Sequence, residues 1–242
     1  MPVRFNIDEV MKLYAEKGGD TDFPNSLRDV LRYVQNDKNI TTINQVAYLL
    51  ATAKIESDYS LQRWEADYLC GKAGMPYKGK PCDKALSYYR STKGNKKNYY
   101  TLGTDKNGMP YFGRGLIQLT GKDNYDKYGK LIGVNLVDDG DKAMIPKNSY
   151  NIASEYLSER TWKYVNKGDW YWARKSVNGG TKKMNEVNLA YDFWMSIFKN
   201  PKTKFKSSNL SLRSRRIIGI SIIALSLAVV GISVYFVVKN KK

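Results

Sequence analysis

A mainly α-helical domain followed by a single C-terminal transmembrane helix is the architecture this sequence predicts, and three observations predict it. Apolar residues recur at helical spacing in several blocks between residues 26 and 198, a Thr-x-x-Gln capping pattern opens one of them, and Ile217 to Val238 is a run of 22 residues without a charge. Each block has its own local cause.

Ser26 is positioned to cap a helix whose Leu27, Val30, Leu31 and Val34 share one face. Thr42 followed by Gln45 reads as a capping box opening a helix from Ile43 to about Ser57. Residues 58–110 are rich in Tyr, Lys and Gly without sustained periodicity, which predicts long loops with at most a short hairpin. Helical spacing returns at Asp123 to Ile132, Ser149 to Val165 and Met184 to Phe198. The apolar run Ile217 to Val238 is long enough, at about 1.5 Å per residue, to cross a hydrocarbon layer of about 30 Å. Arg213, Arg215 and Arg216 precede it, Lys239, Lys241 and Lys242 follow it, and Tyr235 and Phe236 sit near its second end. The predicted organisation is a globular domain over 1–198, a basic juxtamembrane linker over 199–216, a membrane span over 217–238 and a basic tail over 239–242. Seven basic and no acidic residues in 199–216 make lipid headgroups the nearest partner of that linker, ahead of nucleic acid. Because the basic count is higher before the span than after it, positive-inside reasoning puts the domain on the cytoplasmic side.

Composition narrows the chemistry. The chain has no histidine, which closes the imidazole-based routes: Ser-His-Asp and Cys-His hydrolysis, and the usual zinc sites of amidases and peptidases. Two cysteines, Cys70 and Cys82, cannot build a four-ligand zinc site, so no metal and no cofactor is expected. Nothing in Met1 to Asp20 reads as a secretion signal, so the expectation is synthesis in a cytoplasm with both thiols free, a bridge being the alternative. With 40 Lys and Arg against 23 Asp and Glu, a net charge of +17 attracts polyanions without choosing among cell-wall polymer, lipid and nucleic acid. Any hydrolysis must be run by carboxylates.

The densest motif is Tyr111-Phe-Gly-Arg-Gly-Leu-Ile-Gln-Leu-Thr-Gly-Lys-Asp-Asn-Tyr125. Gly113 and Gly115 allow close backbone approach, while Arg114, Gln118 and Thr120 supply hydrogen-bonding groups suited to a polar, ring-shaped ligand. A glycine-bent turn entering a helix is the alternative reading of the same letters. Upstream, Val46, Leu49, Leu50 and Ala53 form an apolar stripe that continues onto Glu56, aiming a carboxylate inward, where apolar surroundings would keep it protonated. Rotation into solvent, or pairing with a lysine such as Lys54, is the competing reading for Glu56.

These segments resemble glycoside hydrolase family 19, which contains chitinases and phage endolysins. Gly113, Arg114, Gly115, Gln118, Thr120, Asn124 and Tyr125 follow that family's cleft motif in order, and Ala53-Lys-Ile-Glu-Ser57 with Glu65 nine positions on is similar to its carboxylate pair. Ala173-Arg-Lys-Ser-Val-Asn-Gly-Gly180 resembles a third family segment. The resemblance covers roughly residues 40–195 and implies a lysozyme-like, two-lobed glycosidase domain. It implies Glu56 as general acid, Glu65 as general base, Thr120 as holder of the attacking water, and Arg114, Gln118, Tyr125 and Asn178 as substrate-binding residues. Two carboxyls flanking a water match an inverting mechanism. Asp58 and Asp67 compete with Glu65 for the second role. The sequence departs from the family pattern at Ile55, Asp58-Tyr59 and Ala66-Asp67-Tyr68.

The expected function is a membrane-anchored muralytic enzyme cutting β-1,4 bonds of peptidoglycan, phage-encoded and used at entry or lysis. Its expected partners are peptidoglycan strands, a lipid bilayer through 217–238 and other virion proteins, with no specific nucleic acid; its place is a virion membrane or host inner membrane. A chitinase, a lytic transglycosylase and an inactive wall-binding virion protein are the alternatives.

Overall fold

The computed structural model of the protein describes residues 2–65, 67–71, 82–85 and 103–207. Among them the regular structure is helical, with antiparallel pairing confined to isolated bridges.

Helix α1 (Ile7–Glu16), which the sequence argument did not foresee, starts where the Asn6 side chain accepts the backbone N–H groups of Asp8 and Glu9 and buries Val10, Leu13 and Tyr14. α2 (Pro24–Val34) buries the expected Leu27, Val30, Leu31 and Val34. Its start differs from expectation: Pro24 occupies the first turn, and Ser26 instead donates its hydroxyl to the Tyr59 carbonyl at 2.8 Å. α3 (Ile43–Ser57) has the capping box that Thr42 and Gln45 predict, and every residue from Gln45 to Ala53 is buried. Asp58, in the left-handed conformation at φ 51°, ends it.

α4 (Lys122–Ile132) stops at Gly133, whose φ of 71° suits a left-handed cap. The predicted helix Ser149 to Val165 divides into α5 (Pro146–Arg160) and a single turn α6 (Trp162–Val165), with the break at Thr161. α7 (Trp170–Asn178), capped by Asp169 and ended by Gly179 at φ 70°, occupies a segment in which the sequence argument marked only the Asn-Gly-Gly turn. α8 (Met184–Phe198) has its expected bounds and packs along α3, so the all-round apolar α3 sits at the centre of the core.

The predicted linker begins too early. Lys206 pairs antiparallel with Arg4 through bonds of 2.9 and 2.8 Å, and Phe205 packs on Phe5 and Phe198. Residues 199–207 are thus part of the globular domain, because one aromatic packed partly buried on the core outweighs four solvated lysines in deciding where that segment lies. The span predicted at 217–238 falls outside the described residues; among the described residues no helix is long and apolar enough to cross a membrane.

A second, smaller cluster gathers Trp64, Ala85, Met109, Phe112 and Met144. Here the expectation of two free thiols is corrected: Cys70 and Cys82 are disulfide-bonded, with Cα atoms 5.7 Å apart. The short 3-10 turn Asp67–Cys70 brings Cys70 against the same apolar cluster as Cys82, so packing has already aligned the two side chains.

Replacing both cysteines by serine should lower unfolding stability by about 3 kcal/mol, the loop-closure value for a bridge of this span. Urea titration of the oxidised protein against the double variant measures it. Alkali gives a second test. Burial pushes the phenols of Tyr125 and Tyr191 up to about 12 in the fold, so both favour the folded state while neutral. That stability is complete below the unfolded value of about 10 and is lost as pH rises through about 12. Thermal unfolding midpoints should therefore be flat up to about pH 10 and fall above it.

Candidate active site

The chain pairs two short extended pieces to build one wall of a cleft. Glu65 donates its backbone N–H to the Gly113 carbonyl at 2.7 Å, and Gly115 donates to the Arg63 carbonyl at 2.6 Å. Arg114 then pairs with Leu119, which folds 113–119 into a tight hairpin. Alternation along these pieces sends Trp64 and Arg114 into the interior and leaves Glu65 and Gly113 on the cleft. Gly115 holds φ at 75°, and a Cβ there would stand 2.7 Å from Ser149 Oγ, so only glycine fits.

The cleft encloses about 440 Å³ and is lined by Glu56, Glu65, Gln118, Thr120, Asn124 and Asn178, together with Tyr156 and Val177. Four elements contribute: the end of α3 gives Glu56, α4 gives Asn124, α5 gives Tyr156 and α7 gives Asn178. Of the seven predicted site residues, Glu56, Glu65, Thr120, Gln118 and Asn178 meet here.

Arg114 and Tyr125 do not. Both are buried beneath the hairpin: the Arg114 guanidinium bonds Asp141 at 2.9 Å, the Pro110 carbonyl at 3.1 Å and Tyr125 Oη at 2.8 Å, and lies 3.7 Å from the centre of the Phe112 ring. Tyr125 donates its hydroxyl to the Phe112 carbonyl at 2.6 Å. Their assignment as substrate contacts is therefore corrected; they hold the hairpin in place from inside.

Glu56 is also corrected in its surroundings. Where the sequence predicts apolar neighbours, the carboxylate, 20% exposed, accepts a bond of 2.7 Å from Arg174 Nη1. Arg174 is buried and anchored again by donating Nε to the Lys182 carbonyl at 2.9 Å. Lys54, the competing partner, is engaged elsewhere with Asp58 and Asp20. Asp58 is thereby removed from the cleft, and Asp67 is buried against Arg63 at 3.1 Å. Of the three candidates for the second carboxylate, Glu65 is the one that lines the cleft.

Glu65 Oε2 accepts the Gly113 N–H at 3.3 Å. A Cβ on Gly113 would come within 3.0 Å of Gln118 Oε1 and 3.3 Å of Thr120 Oγ1, so the bare glycine lets those two groups crowd the same floor. Gln118 adopts the left-handed φ of 55°, rare for a side chain with a Cβ, and its amide nitrogen donates to the carbonyls of Arg63 and Gly115. Its carbonyl oxygen is thus the end available to a ligand. Thr120 donates its hydroxyl proton to the main-chain carbonyl of Gln118 at 2.9 Å, which leaves its oxygen to act as an acceptor. Asn124 donates to the Thr120 carbonyl at 2.7 Å, and Tyr156 donates to the Val177 carbonyl at 3.1 Å, tying α4 and α5 to the two ends of the cleft.

Arg174, the buried partner of Glu56, and Tyr156, on the cleft wall, are the residues that sequence reasoning missed. Arg174 stands four residues before Asn178, on the same side of α7, and that spacing was the available signal. Tyr156 carried none. No cluster of His, Cys, Asp and Glu able to hold a metal occurs among the described residues.

Helices around a two-carboxylate cleft define a class, and the comparisons agree with it. The family glycoside hydrolase 19, chitinase class I, matches residues 73–168, a stretch that contains the 111–125 hairpin but neither Glu56, Glu65 nor Asn178. A crystal structure of chitinase C from Streptomyces griseus HUT6037 has a TM-score of 0.51 at 17% identity, covering 79% of this chain and 91% of that one. A point mutant of chitinase C gives the same score and coverage at 15% identity. A comparison with curated proteins gives no match. At such identities the two structures speak for the fold, which is the mainly helical, lysozyme-like chitinase fold. The match over residues 73–168 is a likeness to glycoside hydrolase 19 in that stretch, and together with the fold it supports a glycoside hydrolase.

If Arg114 is an internal brace, Arg114→Met should lower unfolding free energy by about 3 kcal/mol, since it strands Asp141 and the Tyr125 hydroxyl. The fraction that folds should bind glycan oligosaccharides as the parent does. Urea titration and isothermal titration read the two quantities separately.

Proposed function

We propose that this protein is a muralytic glycosidase that hydrolyses β-1,4 bonds in the glycan of peptidoglycan by an inverting mechanism. The observation that carries it is the meeting of Glu56 and Glu65 in one cleft with the Thr120 hydroxyl.

Glu56 gives its proton to the glycosidic oxygen as the bond to the anomeric carbon breaks. Arg174, bonded to the same carboxyl, stabilises the carboxylate that remains. A water on the opposite face of the sugar attacks the anomeric carbon and loses a proton to Glu65, giving a product of inverted configuration. Thr120, whose own proton is committed to the Gln118 carbonyl, accepts a hydrogen bond from that water and turns its lone pair toward the sugar. The Gln118 side-chain oxygen Oε1 and the exposed Asn178 amide bind sugar hydroxyl and acetamido groups. Arg114 and Tyr125 act beneath the cleft.

Peptidoglycan is favoured over chitin by charge and by the tail of the sequence. A net charge of +17 suits a wall polymer bearing carboxylates, and the apolar run 217–238 with its basic flanks suits an enzyme tethered at a bilayer beside that wall. A phage chain made in an infected cell and carried to the wall in a virion or host membrane fits this layout. The Cys70–Cys82 bridge supports a working position on the oxidising, wall-facing side of such a membrane.

Glu56→Gln, which keeps the shape and removes the acid, should reduce release of reducing ends from purified peptidoglycan by about 10³-fold or more. Thr120→Ala should cost about 10-fold to 100-fold in kcat with little change in KM. Mass analysis of the wild-type fragments distinguishes hydrolysis from a transglycosylase, which leaves anhydro ends. Wild-type protein that releases fragments from chitin and none from peptidoglycan would overturn the substrate proposed.

A further inference from the structure

The outer face of α7 carries the largest aromatic surface among the described residues that the cleft does not use. Tyr171 is 47% exposed and Trp172 44% exposed, although both belong to a class of side chain that folding normally buries. They meet edge to face at 5.4 Å, and the Lys175 ammonium stands 4.5 Å from the centre of the indole ring and 5.7 Å from that of Tyr171. A fixed ammonium beside two rings is a surface that offers apolar contact and a positive charge together.

Its position relative to the cleft decides what it would hold. Tyr171, Lys175 and Asn178 stand at i, i+4 and i+7 on one helix and share one stripe of its surface. Asn178 lines the cleft, and Tyr171 lies about 10 Å further along the helix axis, roughly the length of two pyranose rings in an extended strand. Arg174, one turn before Asn178 on the flank of the same stripe, is turned inward to Glu56, and Ala173, further round the helix, is buried. The stripe thus runs from Asn178 on the cleft out to the exposed rings of Tyr171 and Trp172.

We propose that Tyr171, Trp172 and Lys175 form a distal subsite for the glycan strand, in which the rings pack on a sugar face and Lys175 pairs with a carboxylate of the attached stem peptide. This rests on the muralytic reading, which it extends by assigning the preference for stem-bearing over neutral glycan to Lys175. A lipid surface would need the stripe to stand apart from the cleft; instead it is continuous with it.

The test is equilibrium binding to the full chain carrying Glu56→Gln, so that strands survive the measurement. The probes are chitin tetrasaccharide, chitin octasaccharide, peptidoglycan octasaccharide with its stem peptides, and vesicles containing phosphatidylglycerol. Adding Tyr171→Ala should weaken both octasaccharides by about fivefold and the tetrasaccharide by less than twofold, with Tyr171→Phe restoring affinity. Adding Lys175→Gln should weaken the stem-bearing strand alone, by about threefold. Equal affinities for parent and variants on the octasaccharides, or equal losses on short and long probes, would overturn the subsite. A loss confined to vesicles containing phosphatidylglycerol would overturn it in favour of a lipid contact. The muralytic reading fails on a different measurement, the absence of fragments released from peptidoglycan by the chain with Glu56 intact.

Discussion

The ion pair between Glu56 and Arg174 is the contact on which the site depends, because it joins the end of α3 to the middle of α7 across 118 residues of chain. Arg174 is buried and its Nε is already bonded to the Lys182 carbonyl, so its guanidinium cannot follow Glu56 if that side chain turns outward. Turning it would strand a buried cation, at a cost of several kcal/mol. Glu56 is half-committed to solvent, with 20% of its side chain exposed, yet it is fixed in direction. The same bond sets the rotation of α7, and with it the places of Asn178 on the cleft and of Tyr171 beyond it.

The opposite wall is built by a different device. The guanidinium of Arg114 fills the underside of the hairpin so completely that a Cβ on Gly140 would approach its Nη1 to 3.0 Å. Its bonds to Asp141, Pro110 and Tyr125 satisfy a buried charge from several sides, which is what makes an interior arginine tolerable. With the arginine turned in, the alternation of the extended chain turns Gly113 out, and Glu65 follows because its backbone is bonded to Gly113. The left-handed Gln118 then directs its own carbonyl to Thr120, so a strained backbone angle sets the acceptor that faces the cleft. One wall is positioned by a salt bridge at its surface, the other by a salt bridge beneath it.

Local chemistry was legible in the sequence and long-range direction was not. Thr42 with Gln45, and the Leu27-Val30-Leu31-Val34 stripe, gave two helices because caps and periodicity are properties of a few neighbouring residues. The placement of Glu56, Glu65, Thr120, Gln118 and Asn178 could be stated because motif order carries it. Arg114 and Tyr125 stood in the same motif, and nothing in their residue types says whether a polar group faces a ligand or a buried partner such as Asp141. Arg174 was invisible as the partner of Glu56, since periodicity reports only neighbours along α3 and Arg174 is brought by tertiary packing. Phe205 was lost among four lysines, whose charge suggested a solvated strand while one aromatic side chain docked it.

The disulfide shows why composition is a weak guide to environment. Two cysteines with no metal-site spacing read as thiols, but Trp64, Phe112 and Met144 pack a cluster against which Cys70 and Cys82 come together. That segment, Trp64 to Cys70, has little regular structure of its own: a short 3-10 turn, the Arg63–Asp67 pair and the bridge are what fix it. A cleft carboxylate on such a segment needs constraint from outside, because a free loop would spread it over many positions and lose the advantage of orientation. The bridge supplies that constraint at one end and the Gly113 hydrogen bonds supply it at the other. Glu56 sits on a long helix and requires only its arginine; Glu65 sits on a turn and is clamped from both sides.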